Sequence, residues 1–184
     1  HETVAQIFQE GHAIEFFSGI YYLVAAGLLV VMAPVGYLRG QWHLPVILVL
    51  MKLREFDMDK HLTTEGVLQL RLYSGPAPLA EKIAGAMVVA LVLVCGWRLA
   101  FRTAPAFLAG LRAMVPASWL VLLAALALVA SEALDGLARR LALLGHAPGS
   151  DLVWATKSEE MLELGASMML VMAVVHGCRR RPAR

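Results

Sequence analysis

The sequence predicts an all-α fold, an integral membrane helical bundle of about five transmembrane helices, and three observations carry that prediction. Of 184 residues, 59% are hydrophobic and only 16% are charged, whereas a soluble domain is usually ~45–50% apolar and ~25% charged. Several uncharged runs approach the ~20 apolar residues that a spanning helix needs. No stretch alternates polar and apolar residues between hairpin turns, so a strand signal is missing. The composition excludes a disordered chain and disfavours an ordinary soluble domain.

The first span comes from residues 16–38, an uncharged run between Glu15 and Arg39, with Pro34 inside it as a kink that neighbouring helices can tolerate. Residues 1–15 hold Glu2, Glu10 and Glu15 but no Lys or Arg. They lack the basic start of a signal peptide, so the first segment is expected to stay as an anchor. The second span, near 42–61, is the weakest, because the apolar run 40–51 meets Lys52 after about half a membrane thickness. Its helix is expected to run from about Leu44 to Tyr73 and to end at Ser74–Pro78. The third span, near 82–101, rests on the run 83–97 between Lys82 and Arg98, whose stems can snorkel. Residues 113–131, between Arg112 and Glu132, give the fourth span near 113–134. Residues 164–178, ahead of Arg179, give the fifth near 160–178. With no internal repeat or linker, residues 1–184 form a single transmembrane helical domain. Small residues at Ala25-Ala26-Gly27 and Ala84-Gly85-Ala86 suit close helix approach. Cys95 and Cys178 have no paired spacing, so a structural disulfide is not expected.

Charge sets the topology. With five spans, one side holds Arg39, Arg98, Arg102, Arg112, Arg179, Arg180, Arg181 and Arg184, eight bases without an acid. The other side holds the remaining eight bases and all fourteen acids. Bases near span ends face the cytoplasm, which puts the N-terminus outside and the C-terminus in the cytoplasm. A four-span arrangement, with 40–51 re-entrant, moves Glu2, Glu10 and Glu15 inside and spoils that separation.

The outward end gathers ionisable residues. Arg54, Asp57, His61 and Glu65 form one helical stripe, and Glu55 and Asp59 a neighbouring one. His12 with Glu15, and Glu160 with Glu163, are each three residues apart, while Glu132 and Asp135 extend the fourth span. Lys52 to Asp57 and Glu163 fall in the outer part of the membrane, where ionisable groups are costly and face a wet or paired interior. A carboxylate-rich pocket open to the outside is the reading that results. Salt bridges tying helix ends together are the competing account of any single residue.

Carboxylates with histidine suit a divalent metal, Zn or Ca. His12, Glu15, Asp57, His61, Asp135 and Glu160 are the candidate metal ligands. Glu55, Asp57, Glu132 and Glu163 are the candidate catalytic carboxylates, and Arg54, Lys60 and Arg139 the candidate substrate-binding bases. A metal-activated water beside such a carboxylate would hydrolyse lipid-linked substrates. Alkaline ceramidases and adiponectin-type receptors do this with seven spans and an inner HxxxH. This chain has neither feature, so the similarity stops at architecture. Glu-x-x-His, HExxH, G-x-S-x-G and phosphate-cradling loops are absent, and no feature points to nucleic acid. The alternatives are an accessory subunit of a membrane complex and a cation- or proton-coupled transporter, although no inverted repeat is visible. Expected partners are membrane lipids, with a membrane-complex partner or a second copy of the chain. The inner Arg clusters read as topology signals and anionic-lipid contacts.

Three segments carry a resemblance. Leu53-Arg54-Glu55-Phe56-Asp57 with Lys60 and Thr63, Ser131-Glu132-Ala133-Leu134-Asp135, and Glu159-Glu160-Met161-Leu162-Glu163-Leu164 resemble segments of small multispan bacterial inner-membrane proteins. The likeness extends over most of residues 45–170 and its motifs are short. It implies a bacterial inner-membrane location and carries over no activity.

Overall fold

Proline and glycine set most of the helix ends. The computed structural model describes residues 12–55, 66–67, 69–143 and 150–179, with side chains left aside at 12, 13, 15, 55, 135, 137–143 and 150–156. Helix α1 spans His12–Met32 and α2 Val35–Gln41. Pro34 stands between them with φ −58° and ψ 142°. The first apolar run is therefore broken rather than kinked, because proline also drives the residue before it out of the helical region. Tyr37 and Leu38 donate their N–H groups to the Pro34 carbonyl, which starts the new helix.

Helix α3, His43–Glu55, follows α2 after Trp42 alone, and Trp42 keeps right-handed helical angles. The interruption lies where Pro45 has no N–H to offer the Gln41 carbonyl. Residues 35–55 thus run as one interrupted helix. The long helix expected through Tyr73 does not form, since Gly66 adopts φ 82° and the short helix α4 is confined to Leu70–Ser74. A positive φ breaks a right-handed helix and suits glycine.

Helix α5, Leu79–Arg98, starts behind Pro78, with Glu81 in its first turn where a negative charge suits the helix dipole. It does not end in a loop near residue 101. A π-helical segment, Leu99–Thr103, carries it into α6, Ala104–Arg112. Pro105 explains the segment: it cannot donate to the Phe101 carbonyl, so the helix widens and Ala104 N–H reaches back to Leu99 O. At the end of α6, Met114 takes φ 52° and Val115 N–H bonds Gly110 O at 2.8 Å. Helix α7, Pro116–Leu143, then returns, and α8 spans Ser150–Arg179. Met114 is 70% exposed, so its side chain contributes little packing against its backbone strain. Met114→Gly is expected to raise stability by about 1 kcal/mol, and an unchanged unfolding midpoint in detergent would refute that account of the turn.

α7 packs along α8, α8 along α1, and α1 along α3, while α5 leans on α3 and α6 on α7. The core joins Tyr22, Ala25 and Ala26 of α1 to Leu48 of α3, with Met51, Leu170, Val171 and Val174 packed against it. Fully or nearly buried Ser18, Ala124, Ser131, Ala166 and Ser167 continue the small-residue theme along the α1, α7 and α8 contacts. Small side chains let helix backbones approach, the usual basis of packing in lipid. Large apolar side chains point outward instead, with Val31 83% exposed and Leu93 and Val129 each 67%. A protein that is apolar outside and small or polar inside fits hydrocarbon surroundings. Three helical stretches are long and apolar enough to cross a membrane: Leu79–Arg112, Pro116–Leu134 and Lys157–Arg179. Phe16–Met32 is a shorter apolar helix. Among the described residues no strand occurs.

At the start of α5, a Cβ on Gly85 would lie 2.9 Å from Leu72 Cδ2 and from the Tyr73 hydroxyl. Tyr73 donates to Val67 O and Lys82 to Gly75 O, fixing α4 against α5 at that approach. Gly85→Val is expected to destabilise this corner by about 1–3 kcal/mol through overpacking, measurable as a lower unfolding midpoint than that of wild type.

Candidate functional site at the polar end of the bundle

Alternating helix directions bring the end of α3, the later part of α7 and the middle of α8 to one end. Arg54 of α3 forms an ion pair with Glu132 of α7. One residue earlier, the fully buried Ser131 donates its hydroxyl to Glu163 Oε1 of α8 at 3.0 Å. Lys52 lies 5.8 Å from the Phe16 ring centroid, which places the start of α1 at the same end. The structure thus brings together three residues picked from sequence, Arg54, Glu132 and Glu163, on three different helices.

The two carboxylates differ in surroundings. Glu132 and Arg54 have half or more of their side chains exposed. An exposed pair is worth ~0.2–1 kcal/mol. A double-mutant cycle on Arg54→Ala and Glu132→Ala is expected to give a coupling within that range, and one above ~2 kcal/mol would mean the pair is far less hydrated than its exposure indicates. Glu163 is half-buried, and among the described residues its hydrogen-bond partner is a neutral hydroxyl rather than a base. It lies sixteen residues before Arg179 on α8, about 24 Å at ~1.5 Å per residue. That depth falls within a hydrocarbon core of ~30 Å if Arg179 marks the far boundary.

The other candidates divide by how far the structure describes them. Glu160 is half-buried on α8, one turn before Glu163. His12 and Glu15 are on the first turn of α1, Glu55 ends α3, and Asp135 and Arg139 follow Ser131 on α7. The side chains of these five lie outside the described residues, and so do Asp57, Lys60 and His61 altogether. Among the described residues no group of three or more His, Cys, Asp or Glu is placed to hold a metal ion.

A second polar cluster, at the opposite end, was not expected. His43, next to Trp42 in the sequence, is fully buried. Arg98 Nε donates to His43 Nδ1 at 3.3 Å, and His43 Nε2 lies 2.8 Å from Thr103 Oγ1. A guanidinium only donates, so Nδ1 accepts and the ring proton sits on Nε2, directed at Thr103. Thr103 in turn donates to Gln41 Oε1 at 3.0 Å. Arg98 Nη2 donates to Gly40 O at 2.6 Å, and its guanidinium carbon lies 5.3 Å from the Trp42 ring centroid. The π segment turns Thr103 toward this chain of bonds. The sequence signal was Pro105 four residues after Phe101, which marks a helix irregularity without naming its partners.

No family model matches the chain, and comparison with curated proteins and with solved structures yields no match either.

Proposed function

We propose that the protein is a five-span bacterial inner-membrane protein that binds a cation at its outward, carboxylate-bearing end. The observation that carries this reading is Glu163, an acid deep along an apolar helix whose hydrogen-bond partner is the neutral Ser131. A carboxylate that meets only a hydroxyl among the described residues, in such surroundings, is costly and calls for a cation or a proton. Arg54 already pairs with Glu132, and we assign the incoming charge to Glu163, which bonds Ser131. Ser131 would hold it in place, and Glu132 would close the mouth of the site through Arg54.

Glu163 by itself suits cation- or proton-coupled translocation, and lipid-directed hydrolysis is the second reading, since the side chains it would call on lie outside the described residues. Translocation needs one embedded carboxylate that changes partners. Metal-assisted hydrolysis, with Zn or Ca, would need ligands such as His12, Asp57, His61 and Asp135 gathered around one ion. Five spans follow if Phe16–Met32 and the interrupted helix 35–55 each cross once, between the Arg54 end and the Arg98 end. The charge segregation then puts the N-terminus outside and the C-terminus in the cytoplasm.

Two measurements test the reading. An N-terminal cysteine label in whole cells is expected to react with a membrane-impermeant reagent, and protection of that label would overturn the five-span arrangement. The purified protein is expected to gain thermal stability with a cation among Na, Ca and Zn, or to take up protons. Flat titrations with all of these would overturn cation binding.

A further inference from the structure

The end opposite the carboxylates has its own chemistry, and it is basic. Residues 16–54, 82–131 and 164–184 contain no Asp or Glu, so nothing acidic in these stretches offsets Arg39, Arg98 and Arg102. Arg98 bonds one buried imidazole, and the other two adjoin, in sequence, the residues tied to it: Arg39 stands beside Gly40 and Arg102 beside Thr103. Arg39 precedes His43 by four residues, one helical turn. It also adjoins Gly40, whose carbonyl accepts from Arg98. Arg102 follows Arg98 by four residues across the π segment, next to Thr103, which meets the His43 ring at 2.8 Å.

The bases play different parts. Arg98 is spent on Gly40 O, His43 and the Trp42 ring, and so anchors α5 to the turn before α3. Arg39 and Arg102 are exposed, and each adjoins a residue of that anchored frame, Gly40 and Thr103. Trp97 and Phe101, 66% and 63% exposed with ring centroids 4.0 Å apart, stand on the same stretch of helix. Exposed aromatics beside bases are characteristic of the boundary between hydrocarbon and headgroups. A divalent or monovalent anion free in water could meet the bases, but only a lipid would also bring acyl chains to Trp97 and Phe101.

We propose that Arg39 and Arg102 form a binding site for the phosphate of an anionic phospholipid, on a frame fixed by Arg98, His43 and Thr103. Planar guanidinium groups match phosphate oxygens in pairs, and each base near an anionic surface contributes to attraction. The inference rests on the membrane-spanning reading given above.

The test is lipid selectivity of the full chain reconstituted in phosphatidylcholine vesicles, read by spin-labelled phosphatidylglycerol against spin-labelled phosphatidylcholine. Wild type is expected to restrict the anionic label preferentially. Arg39→Gln with Arg102→Gln is expected to cut that preference by about fivefold per base removed, at unchanged helix content. Arg39→Lys with Arg102→Lys keeps the charge but loses the paired donors, so it is expected to retain only part of the preference, whereas Arg112→Gln, a base outside the cluster, is expected to retain most of it. Equal preference in wild type and the double Gln variant overturns the site, as does an equal loss in Arg112→Gln. Displacement of the anionic label by inorganic phosphate, against chloride at matched ionic strength, overturns the lipid assignment. If neither label is restricted, the membrane-spanning reading has failed; restriction without preference means that only the headgroup site has failed.

Discussion

Replacing Arg98 with alanine is expected to lower the stability of the folded bundle by about 2–4 kcal/mol. The side chain donates to Gly40 O and His43 Nδ1 and lies over Trp42, so its loss empties two acceptors at once. The His43 acceptor sits on a fully buried ring, where water is poorly placed to substitute. An acceptor left bare costs about 1–3 kcal/mol, whereas hydrogen bonds between membrane helices average nearer ~0.6 kcal/mol. The expected range lies between those limits for two bonds and a ring contact. Arg98→Lys should recover only part of the loss, since one ammonium cannot reach both acceptors with the guanidinium geometry. Thr103→Val tests the other half of the cluster, removing the oxygen between His43 and Gln41 at an expected cost of about 1–2 kcal/mol. Equilibrium unfolding in mixed micelles measures all three. An Arg98→Ala midpoint within ~0.5 kcal/mol of wild type would mean that α5 is held to α3 by apolar packing alone.

The helical character of the chain was legible because it follows from composition and from the spacing of charges. The helix breaks were only partly legible. Pro34 and Pro105 mark where a backbone donor is missing, but whether the chain kinks, restarts or widens depends on what donates to the freed carbonyl. At Pro34 the helix restarts, and at Pro105 it widens into Leu99–Thr103. Gly66 looked like one more residue in a helical pattern, and its positive φ was decided by the turn into α4. For the polar end, alternating helix direction sufficed to group Arg54, Glu132 and Glu163, since each lies at a matching distance along its span. Which acid met the base was not legible. Asp57, three residues on along the same stripe, was the candidate for Arg54 by spacing, and the pairing with Glu132 is a matter of three-dimensional packing. The His43 cluster was hidden for the same reason: its partners are 55 and 60 residues away, and a histidine beside a tryptophan reads as interfacial until the partner helix is placed.

The last expectation concerns Glu163→Gln, which separates binding from folding. Glutamine keeps a carbonyl oxygen that can accept from Ser131 Oγ and nearly the same volume, so stability without added cation should stay within about 1 kcal/mol of wild type. The charge is gone, and with it the reason for a cation to enter. A ligand that binds the folded state alone adds about 2.7 kcal/mol at a hundredfold excess over Kd. Wild type should show that gain with its cation, and Glu163→Gln should show none. Arg54→Gln should act in the opposite sense. It releases Glu132 from its ion pair and leaves a second carboxylate near Glu163, so cation affinity should rise by about tenfold at the ~1.4 kcal/mol that one decade represents. Ser131→Ala should weaken binding about fivefold, by removing a hydrogen bond worth ~1 kcal/mol that orients the carboxylate. The three variants form a signed set: loss, gain and partial loss. A cation-induced gain that survives Glu163→Gln would move the site elsewhere on the polar end, and a fall in affinity with Arg54→Gln would make the guanidinium part of the site rather than a competitor for it.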